Sequence, residues 1–345
     1  MNAIARQESG DDMDGQNGSF SRRRQCLRLL VGGALLTAVA PLWAQAGTKR
    51  ASLRIVVPFA AGGTSDLVAR LLAKHLPQVL DQTVMVDNRT GAGGNIGIAS
   101  VARAAPDGRT VLLVSSSFVT NPALYPEGGP YDPIRQFEPV ALIVTSPDVI
   151  VVRSDSSWYS LQDLVEAAST QVQGLTYSTP GTGNSVHLGG ELLWQRTGGQ
   201  FLHVPYAGAA PALVAVLGAQ VDCGLTSLPA ARAHLDSGAL RALAVGSRER
   251  WPSLPDVPTV EQAGVSDYQS ETLQALFAPA GTPAQEVARI NAALVQVLAK
   301  EEVRHALIDQ GFVVVGSTPQ ALAQRVAVEV PRWAAVARSA NVRLD

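Results

Sequence analysis

Cysteine is scarce, with only Cys26 and Cys223 in a chain of 345 residues. Cys26 falls in an N-terminal leader, so the folded part carries one thiol and has no internal disulfide; its core must hold by burial alone. Histidine is almost as thin. The five His residues are scattered and neither they nor Cys223 show metal-ligand spacing, so no metal and no cofactor is expected. Charge is low and balanced, 27 Lys and Arg against 29 Asp and Glu, which removes the basic field that nucleic acid requires. No apolar run reaches the roughly 20 residues needed to span a bilayer. Nucleotide signatures are missing too. In the Gly-rich loop 88–97 a dinucleotide fingerprint starting at Gly91 would need glycine where Ile96 stands, and one starting at Gly93 fails at Asn95. There is no Gly-x-x-x-x-Gly-Lys loop and no Gly-x-Ser-x-Gly elbow.

The first 46 residues read as an export leader. Arg22-Arg23-Arg24 precede a mildly apolar run from Leu27 to Trp43, interrupted by Arg28, and Ala44-Gln45-Ala46 offers a small-x-small cleavage site. Arg23-Arg24-Gln25-Cys26-Leu27-Arg28 is similar to the twin-arginine pattern, with Cys26 where Phe is usual; twin-arginine and general secretory export both stay open. Cys26 precedes the apolar run instead of ending it, which is poorly placed for lipid attachment.

Beyond the leader, strand-like and helix-like runs alternate, which predicts an α/β fold with a mainly parallel sheet. A first series gives a strand at 54–57, a helix at 65–75 limited by Pro77, strands at 83–86 and 110–115, and a helix at 95–103 between them. An extended stretch over 137–153 follows, broken by Ser146-Pro147. The second series gives helices at 161–168, 186–196 and 211–217 among strands at 175–178, 201–204, 221–225 and 240–245. Residues 271–277 read extended again, and helices follow at 283–299, 301–310 and 319–339. Two series joined by two extended segments imply two lobes, 47–145 with 271–345 and 146–270. The chain crosses between them twice, and a cleft lies where the carboxyl ends of the strands meet.

Residues 56–72 carry the most information: a short apolar strand breaks at Gly62-Gly63 and restarts as a helix. The glycines let the backbone approach a ligand, Thr64 or Ser65 is placed to cap the helix, and the free N–H groups of its first turn outline a small-anion site. Alone, the same residues make an ordinary strand-to-helix turn. Their significance comes from a second copy, Ser178-Thr179-Pro180-Gly181-Thr182-Gly183-Asn184-Ser185-Val186-His187-Leu188, in the other series. Two such loops facing each other would grip one anion from both sides. His187, in the first turn of an apolar-faced helix, reads first as structural; with Ser185 it supports a secreted hydrolase only as a minor alternative. Tyr206 either closes over a ligand or packs at a strand end against Pro205. Asp222 is either a strand-end carboxylate near the cleft or a solvated one, and Ser116 either adds a polar contact or belongs to a Ser-rich turn. Arg89 is the only Arg or Lys in the three glycine segments, so neutral donors and water would have to hold a carboxylate. That fits reversible capture better than catalysis.

Seven segments together resemble the tripartite tricarboxylate transporter substrate-binding proteins, the Bug family. They are Pro58-Phe59-Ala60-Ala61-Gly62-Gly63-Thr64-Ser65-Asp66, Asn88-Arg89-Thr90-Gly91-Ala92-Gly93-Gly94, Pro106-Asp107-Gly108-Arg109-Thr110, Tyr131-Asp132-Pro133, His203-Val204-Pro205-Tyr206, Leu254-Pro255-Asp256-Val257-Pro258-Thr259 and Ala278-Pro279-Ala280-Gly281-Thr282-Pro283. They occur in the family's order over essentially all of the mature chain. The resemblance implies a periplasmic two-lobed binding protein of the type II-like, Venus-flytrap kind, a monomer without catalytic residues that holds a small carboxylate: a di- or tricarboxylate, an amino acid or an aromatic acid. By position, Ala61, Gly62, Gly63, Thr64, Ser65 and Asp66 of one lobe and Thr182, Gly183, Asn184 and Ser185 of the other would hold the carboxylate, partly through water. Ser116, Tyr206 and Asp222 would meet the ligand's distal end. Delivery to inner-membrane permease subunits is implied, with presentation to a signalling partner as the alternative. Ala207 stands where the family often has Lys, and Asn184 adjoins Ser185 where a Ser-rich stretch is common; both bear on the ligand more than on the fold.

Overall fold

The computed structural model describes residues 51–125 and 129–343, so the export leader read over 1–46 lies outside the described residues. The first series is β1 (Leu53–Val57), α1 (Thr64–Leu80), β2 (Val84–Asn88), α2 (Asn95–Ala102), β3 (Thr110–Ser115) and the short α3 (Ser117–Thr120). A long strand, β4 (Phe137–Arg153), leads into α4 (Leu161–Thr170), β5 (Leu175–Thr179), α5 (Ser185–Thr197), β6 (Phe201–Pro205), α6 (Ala209–Leu217), β7 (Cys223–Ser227), α7 (Leu228–Asp236) and β8 (Leu240–Val245). The chain returns through β9 (Glu271–Pro279) and ends with α8 (Ala284–Leu298), α9 (Glu301–Asp309), β10 (Val313–Val314) and α10 (Pro319–Ser339). The expected α/β alternation is what forms. Among the described residues no helix is long and apolar enough to cross a membrane.

The strands follow the order β2-β1-β3-β9-β4-β7-β5-β6, with β8 and β10 also pairing with β4. Within each series the strands run parallel, and both faces of β1 are covered: Leu53, Ile55 and Val57 pack with Val68, Leu72 and Leu76 of α1, while Val56 joins the opposite layer. Those three α1 side chains recur at helical spacing and are 0–1% exposed, so each contributes roughly 1.5–3 kcal/mol of burial. That packing fixes where the amino end of α1 points. α1 also runs through Pro77 to Leu80, past the stop expected there. Pro77 removes one helical N–H, but Leu76 and Leu80 on either side are buried and carry the helix across the gap.

β4 is likewise unbroken at Ser146-Pro147, contrary to the sequence reading. Pro147 is the last β4 residue in register with β9, opposite Glu271, and Asp148 is the first in register with β7, opposite Ser227. The strand changes partners there, at a position where a missing N–H is tolerated.

These registers place the strand ends. Ser115, the last residue of β3, lies opposite Gln274 of β9, which pairs with Val144 of β4. From the other direction β7 ends with Ser227 opposite Asp148, and β5 runs beside it with Ser178 next to Gly224. β1 and β3 thus approach the middle of β4 from one side, and β5 and β7 approach it from the other. The loops leaving β1 and β5 start from the strand ends that point toward the partner change at Pro147-Asp148.

Candidate functional site

In the first loop, Gly62 has φ +82°, a conformation that disfavours any side chain, and the position before α1 is Gly63. Neither Thr64 nor Ser65 caps the helix, contrary to expectation, because both already lie inside its first turn. The bracing group is Asp66. Its Oδ2 accepts hydrogen bonds from the Gly62 amide and from Arg70 Nε, both at 2.8 Å, and its Oδ1 accepts one from Asn88 Nδ2 at 3.0 Å. Burial alone would raise the Asp66 carboxyl, but the hydrogen bonds from Arg70, Gly62 and Asn88 outweigh it and hold the group below the usual carboxylate range. The side chain of Asp66 shapes the loop instead of facing a ligand. Ser65 is 4% exposed, and its hydroxyl has no partner among the described residues.

The second loop repeats this plan with other chemistry. Gly181 and Gly183 have φ +145° and +77°, and Asn184 caps α5 by accepting the His187 amide at 2.8 Å. The Gly183 amide donates to His187 Nδ1 at 2.9 Å. Thr179 Oγ1 donates to the Gly181 carbonyl at 3.0 Å and lies 2.7 Å from His203 Nε2. The His187 and His203 rings stack with centroids 3.7 Å apart. Burial, and then the nearby His187, push His203 down to about 4 against the opposing pull of Glu191. Ser185 is 5% exposed, and among the described residues its hydroxyl is unpartnered, as is that of Ser65. Thr182 is exposed beside it.

Tyr206 leaves the end of β6 next to this loop: its amide donates to Thr179 O, and a Cβ at Gly181 would lie 3.6 Å from its carbonyl oxygen. Ser116 is 2% exposed and occupied, its hydroxyl donating to Glu271 O and accepting from the Leu273 amide; it ties the end of β3 to β9. Asp222 is not brought to the site. β7 starts at Cys223, two residues later than expected, and Asp222 stands just before its amino end, as it would in a strand from 221, where Oδ2 accepts from the amide and hydroxyl of Thr176, both at 2.7 Å. At about 3.3 Å per residue, the length of β5 separates that end from the loop after Thr179. No hydrolase geometry forms either. His187 presents Nδ1 to Gly183, and its Nε2 lies 3.5 Å from Glu191 Oε1, so neither nitrogen bonds Ser185.

Several groups were missed. On the strands next to the partner change in β4 stand Ser146, Thr226 and Gln274, whose side-chain oxygens are buried without a hydrogen-bond partner among the described residues. In strands they read as ordinary polar residues, and only the register brings them together. Beside them Asp148 accepts from Ser270 Oγ at 2.5 Å and Thr272 Oγ1 at 2.9 Å, and burial raises its carboxyl to about 6. The braces Arg70 and Glu191 were legible as i,i+4 partners of Asp66 and His187. Among the described residues no His, Cys, Asp and Glu cluster could hold a metal ion.

The family model for tripartite tricarboxylate transporter family receptors matches residues 68–342. This chain belongs to that family. The periplasmic binding protein BugD is 36% identical, with a TM-score of 0.75 over 85% of this chain and 99% of its own. An R. palustris protein solved with adipate is 34% identical, with a TM-score of 0.78 over 85% and 98% of the two chains. MatC from Rhodopseudomonas palustris, with bound malate, is 34% identical, with a TM-score of 0.74 over 83% and 98%. The family member described here is therefore a solute-binding receptor with a periplasmic-binding-protein fold, not an enzyme. The match to the family model begins at Val68, just past the first loop.

Proposed function

We propose that this receptor captures a small carboxylate, a dicarboxylate first among the candidates, between lobes 47–145 with 271–345 and 146–270, after export to the periplasm by its leader. The carboxylate is taken by the first-turn amides of α1 and α5 with the hydroxyls of Ser65 and Ser185, and Tyr206 closes beside it. The observation that carries this is the pair of matching helix starts, each with an almost buried, unpartnered serine, which follow strands whose registers run toward the partner change in β4. Helix amino ends and hydroxyls favour an anion. The nearby cations are engaged, Arg70 with Asp66 and Arg89 with Asp87. Adipate and malate in two relatives at 34% identity support a dicarboxylate. A ligand that touches both lobes favours the closed form by its added contacts, and that form is what a permease would receive.

A thermal-shift screen of the mature protein against adipate, malate, tricarboxylates, amino acids and aromatic acids tests this. An acid at 100 times its Kd adds about 2.7 kcal/mol of stability and raises the midpoint. If no acid raises it, and none is retained by the purified protein, the carboxylate reading fails.

A further inference from the structure

The second loop hangs from two imidazoles. His187 is 4% exposed and Gly183 is buried. Because the Gly183 amide donates to Nδ1, that nitrogen carries the lone pair, and a neutral His187 holds its proton on Nε2, which faces Glu191 Oε1 at 3.5 Å. Glu191 Oε1 also accepts from Tyr177 OH. His203 lies flat against His187 and reaches Gly181 through Thr179, so both glycines of the loop are wired to the imidazole pair. The titratable groups around the pair are Tyr177 of β5, Glu191 of α5 and, behind Tyr177, Cys223 of β7; burial pushes Tyr177 and Cys223 upward and keeps both neutral.

A helix cap alone does not explain the His187 bond. α4 shows what a complete cap looks like: Ser160 Oγ accepts the Asp163 amide, and Asp163 Oδ2 accepts the amides of both Ser160 and Tyr159. In α5 the third-residue side chain takes only the Gly183 amide, one place before the cap residue. Among the described residues, the amides of Asn184, Ser185 and Val186 then meet no acceptor. The helix is capped and its donors are left open.

We infer that His187 is a positioning residue of the ligand site, its Nδ1 lone pair holding Gly183 so that the open amides of α5 face the cleft, with Glu191 fixing the tautomer. The inference rests on the carboxylate reading of the loop.

Isothermal titration of wild type, His187→Asn and His187→Phe with adipate tests this. Asn keeps an acceptor near the Nδ1 position and takes no proton; Phe keeps the ring and removes the acceptor. Asn binds within about threefold of wild type and Phe binds about tenfold or more weakly. Equal binding by Phe and wild type, or equal loss by Asn and Phe, overturns the inference. Should His187→Phe not fold, NMR of the ligand-free wild type decides: a through-hydrogen-bond coupling joins the Gly183 amide to His187 Nδ1, and its absence overturns the inference. If no protein binds any acid, the failure falls on the carboxylate reading, while the NMR coupling still reports on the wiring.

Discussion

The two loops over the middle of β4 share one plan and differ in the atom that executes it. In each, a positive-φ glycine stands one place before the helix cap and gives its amide to the side chain of the third helical residue: Gly62 to Asp66 in α1, Gly183 to His187 in α5. The first acceptor is a carboxylate, balanced by Arg70 and Asn88. The second is a neutral imidazole packed on another. A carboxylate held below its usual range keeps its stabilising contribution until the pH falls well into acid. A histidine pushed down to about 4 behaves differently: the unfolded chain binds the proton first, so His203 contributes fully above about 6.5 and its contribution is lost as the pH falls toward 4. One loop is therefore insulated from mild acid and the other is exposed to it.

Removing the charged acceptor tests the first half of that comparison and should have the largest effect. Asp66→Ala leaves the Gly62 amide, Asn88 and Arg70 without their shared partner, and we predict a loss of about 3 kcal/mol in urea unfolding. Carboxylate binding should weaken by about tenfold or more, measured calorimetrically. Full affinity in this variant would show that the first loop keeps its shape without Asp66, and the common plan would lose one member.

The floor between the loops sharpens the comparison through its sign. Burial raises Asp148 to about 6, so the native state binds the extra proton and stability rises as the pH falls from about 6 toward 3.8. That is opposite to His203, and the two contributions offset each other in wild type. We predict that Asp148→Asn, which cannot take up this proton, unmasks a loss on the order of 2 kcal/mol between about pH 6.5 and 4.5, followed by urea unfolding across that range. A flat profile in the variant would mean that the second loop does not carry the acid response.

Much of this was legible in the sequence, and the remainder was hidden for physical reasons. Periodicity and glycine punctuation placed the alternating elements and both loops, since burial spacing and positive φ are local properties. The routes through Pro77 and Pro147 were not local: buried leucines carry one across its missing N–H, and a change of strand partner carries the other. Single residues at the site were harder still. Ser65 and Ser185 were named for their type, yet their significance lies in being almost buried without a partner, which only packing reveals. His187 was read as structural, and its bond to the loop in place of the cap residue depends on a geometry that spacing does not encode.

Asp222 gives the smallest and most selective test. β7 starts two residues later than expected, and Asp222 stands at its amino edge, closed on Thr176, away from the carboxyl edge where a ligand would meet it. If both loops work from the carboxyl edges alone, Asp222→Ala leaves affinity for adipate or malate within about twofold, while loss of two accepted hydrogen bonds at a part-buried site lowers stability by about 1 kcal/mol. Paired titration calorimetry and urea unfolding separate the two quantities. A tenfold loss of affinity with unchanged stability would place Asp222 against the ligand, and the site would then reach past the two helix starts to the far end of β5.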